Sequence, residues 1–173
     1  MTSHPRKAGA PISLENQIFV KLLKTAGALE QQAEELVRTA GLTAAQYNVL
    51  RILRGAEPDG LPCRGIGDRM ISHDPDMTRL LDRMEKRGLI SRKRQTKDRR
   101  VVLTRITAQG LVLLKKLDQP VRELHKQQFR HIPTARLKAL GELLGEVAAC
   151  DLQPKISETS SKQSMEKQKE KQK

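Results

Sequence analysis

The stretch DPDMTRLLDRMEKRG, residues 74–88, decides the fold that the sequence predicts. Asp74 followed by Pro75 marks a helix start, because the carboxylate can accept hydrogen bonds from early helix amides and proline has a preset φ. Gly88 follows the last turn as a C-terminal stop. Apolar residues recur at steps of three and four and form one stripe: Met77, Leu80, Leu81 and Met84. We therefore expect an amphipathic helix over residues 74–87 that buries this stripe.

The opposite face of this helix carries the candidate base-contacting residues. A guanidinium such as that of Arg79 can pair with both O6 and N7 of guanine, which makes Arg79 the first candidate for a base contact. Thr78 suits a thymine methyl group, and Asp76 suits a cytosine amino group. The predicted DNA-binding face comprises Pro75, Asp76, Thr78, Arg79, Asp82 and Arg83. In isolation, the same pattern would also fit the solvated face of an ordinary amphipathic helix.

Two short β-prone runs, residues 89–94 and 101–107, follow the helix and predict a hairpin with a protruding loop. The stretch 92–100 holds six basic residues and one acidic residue, and arginine on a protruding loop suits the narrow, negative minor groove of DNA. The predicted contacts of this wing are Arg94, Lys97, Asp98, Arg99 and Arg100. Asp98 would hold a neighbouring arginine, or serve simply as a turn residue. The wing favours DNA binding over a merely solvated helix face.

Three further helices are predicted before residue 74. A long amphipathic helix begins near residue 14 and ends before Gly41. Thr43 and Gln46 have the spacing of a capping box and open a second helix that runs to about residue 54. A short helix over residues 62–70 then leads through a tight turn into residue 74.

Two further helices are predicted after the hairpin. Thr107 caps the first of them, and Pro120 within it should kink or split it. Ile132 and Pro133 separate it from a last helix with one apolar face. The DNA-binding module, formed by the three middle helices and the hairpin, cannot cover the apolar faces of the terminal helices. We therefore expect the terminal helices to pair across a homodimer.

The predicted fold class is mainly α with a small β-hairpin wing, that is, a winged helix-turn-helix flanked by N- and C-terminal dimerisation helices. The predicted organisation is a flexible arm over residues 1–13, a folded domain over 14–152, and a disordered Lys/Gln-rich tail over 153–173. Within the domain, the winged helix-turn-helix covers about residues 42–107, and the dimerisation helices cover about 14–40 and 108–152.

The charge of the chain is concentrated on the predicted reading module. Lys and Arg number 33 against 20 Asp and Glu, which gives a formal net charge of +13. Residues 61–110 alone hold 13 basic and six acidic residues, as expected of a nucleic-acid-binding surface. Aromatic residues make up only 2% of the chain. Binders of single strands stack bases on aromatic side chains, so duplex DNA is the expected partner.

Other classes of function have less support in the sequence. Cys63 and Cys150 lack metal-ligand spacing, and we interpret both thiols as structural or incidental. We expect no metal, no cofactor and no enzymatic activity, because the sequence offers neither a catalytic triad nor a glycine-rich phosphate loop. Without a signal peptide or membrane span, a cytoplasmic, nucleoid-associated protein is expected. An architectural, weakly specific DNA-binding protein is the alternative that the high charge leaves open.

Four motifs lie in a specific order and spacing: LTxxQYxxL at residues 42–50, DMTRLLDRMEKRGLI at 76–90, DRR at 98–100 and LTxITxxG at 103–110. In this combination the chain resembles the multiple antibiotic resistance regulator (MarR) family of bacterial and archaeal transcription factors. The resemblance covers about residues 13–152.

The resemblance implies a homodimer in which the first and last helices interlock. Each protomer would place its recognition helix in a major groove and a wing arginine in the flanking minor groove, with Asp98 and Arg100 as the wing pair. It implies a repressor of transcription on a pseudo-palindromic operator, released by a small aromatic or phenolic effector that binds between the dimerisation and reading regions.

Overall fold

The computed structural model describes residues 12–72, 74–95 and 101–149. Six helices and three short strands make up this part of the chain, which confirms the predicted fold class. The helices are α1 (Leu14–Arg38), α2 (Ala44–Arg54), α3 (Cys63–Gly67), α4 (Met77–Lys86), α5 (Ala108–Phe129) and α6 (Thr134–Ala149). The strands are β1 (Leu61–Pro62), β2 (Ile90–Arg94) and β3 (Val102–Ile106). Most of the predicted N-terminal arm and the whole predicted tail lie outside the described residues.

The chain divides into two compact units, with the boundary between Gln128 and Phe129. The first unit has one apolar core, to which α2, α4, the sheet and α5 contribute. Its fully buried side chains include Leu42, Leu50, Leu53, Ile66, Leu80, Leu81, Met84, Ile90 and Leu114. In the second unit, α6 has no buried residue along its length.

Three antiparallel strands form the sheet in the order β1-β3-β2. Ile90 pairs with Ile106 and Arg94 with Val102, so β2 and β3 form the two arms of the predicted hairpin. The two-residue strand β1 adds to the other edge of β3, with Leu61 opposite Thr104. The predicted short helix over residues 62–70 is therefore wrong at both ends: Pro62 belongs to β1, and α3 covers only Cys63–Gly67.

The helix termini follow the local signals in the sequence. Thr43 and Gln46 form the predicted capping box of α2. Gly41 and Gly88 each have a φ of 70° after α1 and α4, a conformation that glycine adopts without a steric penalty. Thr107 Oγ1 accepts a hydrogen bond from the Gly110 amide at 3.1 Å and so caps α5 as predicted.

Helix α4 begins later than predicted, at Met77 rather than at residue 74. Two aspartates compete for the cap, and Asp76 is the residue whose side chain accepts from the Arg79 amide. The Asp74 carboxylate instead accepts from the Asp76 amide at 2.8 Å. This bond closes a turn around Pro75, which therefore precedes the helix.

Pro120 does not split the helix that contains it, so that part of the prediction is wrong. Helix α5 runs without interruption from Ala108 to Phe129. Proline removes one helical donor and leaves the carbonyl four residues earlier without its partner. Both Lys116 and Pro120 are exposed, so water can satisfy that carbonyl and the helix persists.

Polar contacts join α2 to α5 and to α1. Arg54 Nη1 donates to both carboxylate oxygens of Asp118 in α5, at 3.0 and 2.9 Å. Glu34 in α1 accepts a hydrogen bond from the amide of Ala44, the first residue of α2. A carboxylate at this position also has a favourable interaction with the positive end of the helix dipole.

Gly110 allows α5 to approach the hairpin closely. A Cβ at this position would collide with the Leu89 carbonyl oxygen and lie 2.8 Å from Ile106 Cγ1. We predict that Gly110→Ala lowers the free energy of unfolding by about 1–3 kcal/mol, as for overpacked cores. Urea unfolding followed by circular dichroism at fixed protein concentration measures this change.

Gly27→Ala is the matched control, since no described atom lies within 4 Å of a Cβ built there. It should leave stability unchanged or raise it, because alanine is the better helix former. Equal stability of the two variants would contradict the close approach at Gly110.

Candidate nucleic-acid interface

Helix α4 presents one buried and one exposed face, as its periodicity predicts. Leu80, Leu81 and Met84 are at most 2% exposed. The exposed residues include five of the six that the sequence predicted to contact DNA: Pro75, Asp76, Thr78, Arg79 and Arg83. Four of them lie in the turn that precedes α4 or at its N-terminal end, whereas Arg83 lies in its last turn.

Asp76 and Arg79 interact with each other in the free protein. Arg79 Nε lies 3.2 Å from Asp76 Oδ2, and both side chains are accessible to solvent. The other carboxylate oxygen accepts from the Arg79 backbone amide at 3.4 Å. One carboxylate therefore caps the helix and contacts the arginine side chain one turn later.

Asp82 differs from the other five because its carboxylate faces the sheet. It accepts a hydrogen bond from Arg92 Nη2 in β2. Arg92 Nε also donates to Glu85 Oε2 at 2.8 Å, and the Arg92 backbone amide donates to Glu85 Oε1 at 3.0 Å. Two carboxylates on successive turns of α4 thus hold one arginine at the base of the wing.

The Arg92 contacts stabilise its charged form. The hydrogen bond with Glu85 is the largest cause that raises the pKa of Arg92, followed in that direction by the hydrogen bond with Asp82. Arg92 has a side-chain exposure of only 26%, lower than that of Arg79 at 78%. Its role in anchoring the wing escaped the sequence analysis, because the packing of β2 on α4 is a tertiary contact.

The wing is described only at its base. Arg94, the last residue of β2, is exposed and pairs with Val102 at the end of the hairpin ladder. The other predicted wing residues, Lys97, Asp98, Arg99 and Arg100, lie outside the described residues.

Helix α3 adds two exposed basic residues that the sequence analysis did not select. Arg64 lies on α3, with Nε 4.0 Å from Asp68 Oδ2, and Arg69 is exposed directly after the helix. The first helix of a helix-turn-helix crosses the DNA backbone. The predicted order of helix, turn and helix over residues 62–88 could have indicated these two arginines as candidate phosphate contacts.

The C-terminal end of α4 is attached to α2. Arg87, the residue that follows the helix, donates from Nη1 to Gln46 Oε1 at 3.0 Å. The same Gln46 oxygen accepts from the Thr43 amide in the capping box. The helix cap of α2 and the end of the candidate recognition helix therefore share one side chain.

A cavity of about 350 Å³ lies among α1, α2, α5 and the turn that precedes α4. The Arg51 guanidinium carbon lies 5.9 Å from the centroid of the Tyr47 ring, and burial is the main cause that raises the pKa of the Tyr47 phenol. The wall nearest α4 is formed by Met70, Ile71 and Ser72. The cavity therefore reaches from the long helices to the residues just before the recognition helix.

Within residues 12–72, 74–95 and 101–149, no group of three or more His, Cys, Asp or Glu side chains is arranged to hold a metal ion. Across these same ranges, no helix combines the length and apolar character needed to cross a membrane. Cys63 is exposed at the start of α3, and Cys150 lies outside the described residues.

Comparison with known proteins gives consistent matches. A model of the MarR family matches residues 42–102. The organic hydroperoxide resistance transcriptional regulator of Bacillus subtilis is 32% identical over 105 residues, which are 61% of this chain and 70% of that protein.

Two solved structures extend the likeness. The MarR transcription factor from Planctomyces limnophilus is 38% identical, with a TM-score of 0.60 over 79% of this chain and 98% of that one. CouR from Rhodococcus jostii RHA1, solved with p-coumaroyl-CoA bound, is 25% identical, with a TM-score of 0.67 over 80% and 96% of the two chains. The sequence motifs, the winged helix-turn-helix and these relatives agree: the chain belongs to the MarR family of transcriptional regulators.

Proposed function

We propose that this regulator is a repressor that binds double-stranded DNA sequence-specifically, as a homodimer on a pseudo-palindromic operator within the cytoplasmic nucleoid. The observation that carries the proposal is the exposed N-terminal end of α4, which carries Arg79 on the same helix that anchors the base of the wing through Arg92. Only this end of a recognition helix normally reaches base edges in the major groove. The basic residues of α3 and of the wing base would contact phosphates on either side.

Exposed apolar faces on the terminal helices support the homodimer. Helix α1 exposes Leu14, Ile18, Phe19, Val20, Leu22 and Leu23, and α6 exposes Leu140, Leu143, Leu144 and Val147. Soluble monomers rarely expose contiguous apolar surfaces of this extent. Pairing of two copies through these helices would bury them and place two recognition helices on adjacent half-sites.

The base contact of Arg79 is tested by Arg79→Ala in the full-length protein. The operator is first selected with the unchanged protein from a random duplex library, and affinities for operator and random DNA are compared at one salt concentration. We expect the variant to lose about 1–3 kcal/mol of discrimination at one base pair of each half-site, as for a bidentate guanine contact.

Lys115→Ala is the matched control, since it removes one exposed positive charge that belongs to α5 and not to α4 or the wing. It should weaken binding to both DNAs slightly and equally. If the unchanged protein binds operator and random DNA with nearly equal affinity, the architectural alternative is correct and the repressor proposal fails.

The anchoring of the wing is tested by Arg92→Lys. Lysine keeps the charge but cannot bridge Asp82 and Glu85 as the planar guanidinium does. We expect roughly tenfold weaker operator binding, or about 1.4 kcal/mol, concentrated on A·T-rich flanks because the wing contacts the minor groove.

Arg105→Lys serves as the control in the same sheet, because Arg105 Nε donates to the Pro58 carbonyl at 2.9 Å and contacts neither carboxylate of α4. Its operator affinity should remain unchanged. A loss in Arg92→Lys that is the same for every flanking sequence would contradict the proposed role of the wing.

The effector is proposed to bind the cavity between the long helices and the reading module. A small aromatic or phenolic molecule fits this space, since Tyr47 offers an aromatic ring and Arg51 a cation for an acidic substituent. The aromatic acyl ligand of CouR supports this class of compound. A bound effector would contact Met70, Ile71 and Ser72, which lie a few residues before the start of α4.

Filling the cavity tests this proposal. Ala33 in α1 lines the cavity, and Ala33→Leu should prevent effector binding while DNA affinity without effector stays unchanged. A panel of phenolic acids that includes p-coumarate is assayed for release of the operator from the unchanged protein. We expect the variant to need at least about tenfold more of an active compound, equal to about 1.4 kcal/mol.

Ala28→Leu is the control, because Ala28 is an exposed residue of the same helix and does not line the cavity. It should respond like the unchanged protein. Normal effector response in Ala33→Leu would place the effector elsewhere, and release by no compound of the panel would contradict the proposed ligand class.

A further inference from the structure

We propose that Asp76 is a positioning residue that holds the Arg79 guanidinium ready for its base contact and so sets the sequence specificity of the recognition helix. The inference rests on the proposed base contact of Arg79. It assigns to Asp76 an action through another side chain, in place of the direct cytosine contact that its position also allows.

The geometry fixes Asp76 from both sides. Its backbone amide donates to Asp74 Oδ1 at 2.8 Å, and its Oδ1 accepts from the Arg79 amide at 3.4 Å. The Asp76 backbone is therefore tied to the turn before α4, and its carboxylate is tied to the first turn of the helix. Its second oxygen, Oδ2, lies 3.2 Å from Arg79 Nε.

Because Asp76 contacts Arg79 through Nε, the two terminal amino groups of Arg79 can still donate to a base. The 3.2 Å contact between the two side chains joins Oδ2 of Asp76 to Nε of Arg79 and not to a terminal amino group. Guanine O6 and N7 require two parallel donors in one plane. A carboxylate beside Nε restricts the rotation of the arginine side chain.

This arrangement increases specificity in two ways. An exposed ion pair contributes little to stability, but ordering the arginine before binding reduces the entropy lost when the operator contact forms. The Asp76 carboxylate also repels phosphates, which weakens binding to random DNA. Operator affinity is raised and non-specific affinity is lowered by the same side chain.

The test is a double-mutant cycle of Asp76→Ser and Arg79→Ala in the full-length protein, with operator and random duplexes at one salt concentration. Serine still caps a helix but is too short to reach Nε and carries no charge. We expect Asp76→Ser to reduce the ratio of operator to random affinity about fivefold to tenfold. In the Arg79→Ala background, the same substitution should leave discrimination among operator base pairs unchanged.

Asp76→Asn provides the rescue, since an amide oxygen can still cap α4 and place an oxygen beside Nε. It should restore operator affinity while binding to random DNA remains stronger than in the unchanged protein. This pattern would support positioning, because a role limited to helix capping is satisfied equally by serine and asparagine.

Three results would overturn the inference. An unchanged affinity ratio in Asp76→Ser would leave only a capping role, and loss of discrimination at a second base pair that persists in the Arg79→Ala background would show direct base contact by Asp76. If Arg79→Ala itself retains full discrimination, the proposed base contact fails and the inference fails with it. The first two results leave the proposed function intact.

Discussion

The Arg92 guanidinium, held by Asp82 and Glu85, is the contact on which the DNA-binding surface depends. It joins two elements that differ in geometry, the helix α4 and the strand β2 of the hairpin. A helix alone would present a few side chains to a major groove, and a hairpin alone would present only the basic residues of the wing. Because Arg92 holds the hairpin against α4, the two elements together form one surface that can contact adjacent grooves of a duplex.

Much of the fold was predictable because its signals are local. The capping box at Thr43, the glycines with positive φ and the apolar stripe of α4 all act within a few residues of the chain. The motifs then linked these elements to the MarR family, which gave their arrangement. The errors arose where two local signals competed, as with Asp74 and Asp76, or where solvent removed an expected penalty, as at Pro120.

The candidate site was less predictable, because its chemistry depends on contacts between distant residues. Helical periodicity correctly placed Asp82 away from the apolar stripe but could not show that its partner is Arg92 in the following strand. The cavity has walls from four separate parts of the chain, and no spacing within one segment encodes it. The roles of the predicted DNA contacts stay predictions that binding measurements must test.

The polar anchoring of α4 is unequal along its length. Its C-terminal end is held to α2 through Arg87 and Gln46, and α2 is held in turn to α1 and α5 through Glu34 and Arg54. Among the described residues, the polar contacts at its first turn are local ones around Asp76. The cavity wall at Met70 to Ser72 leads into this less anchored end. An effector bound in the cavity, as proposed, would therefore contact the segment that leads to the first turn of α4, where Arg79 lies, and not the end of the helix that Arg87 holds to α2.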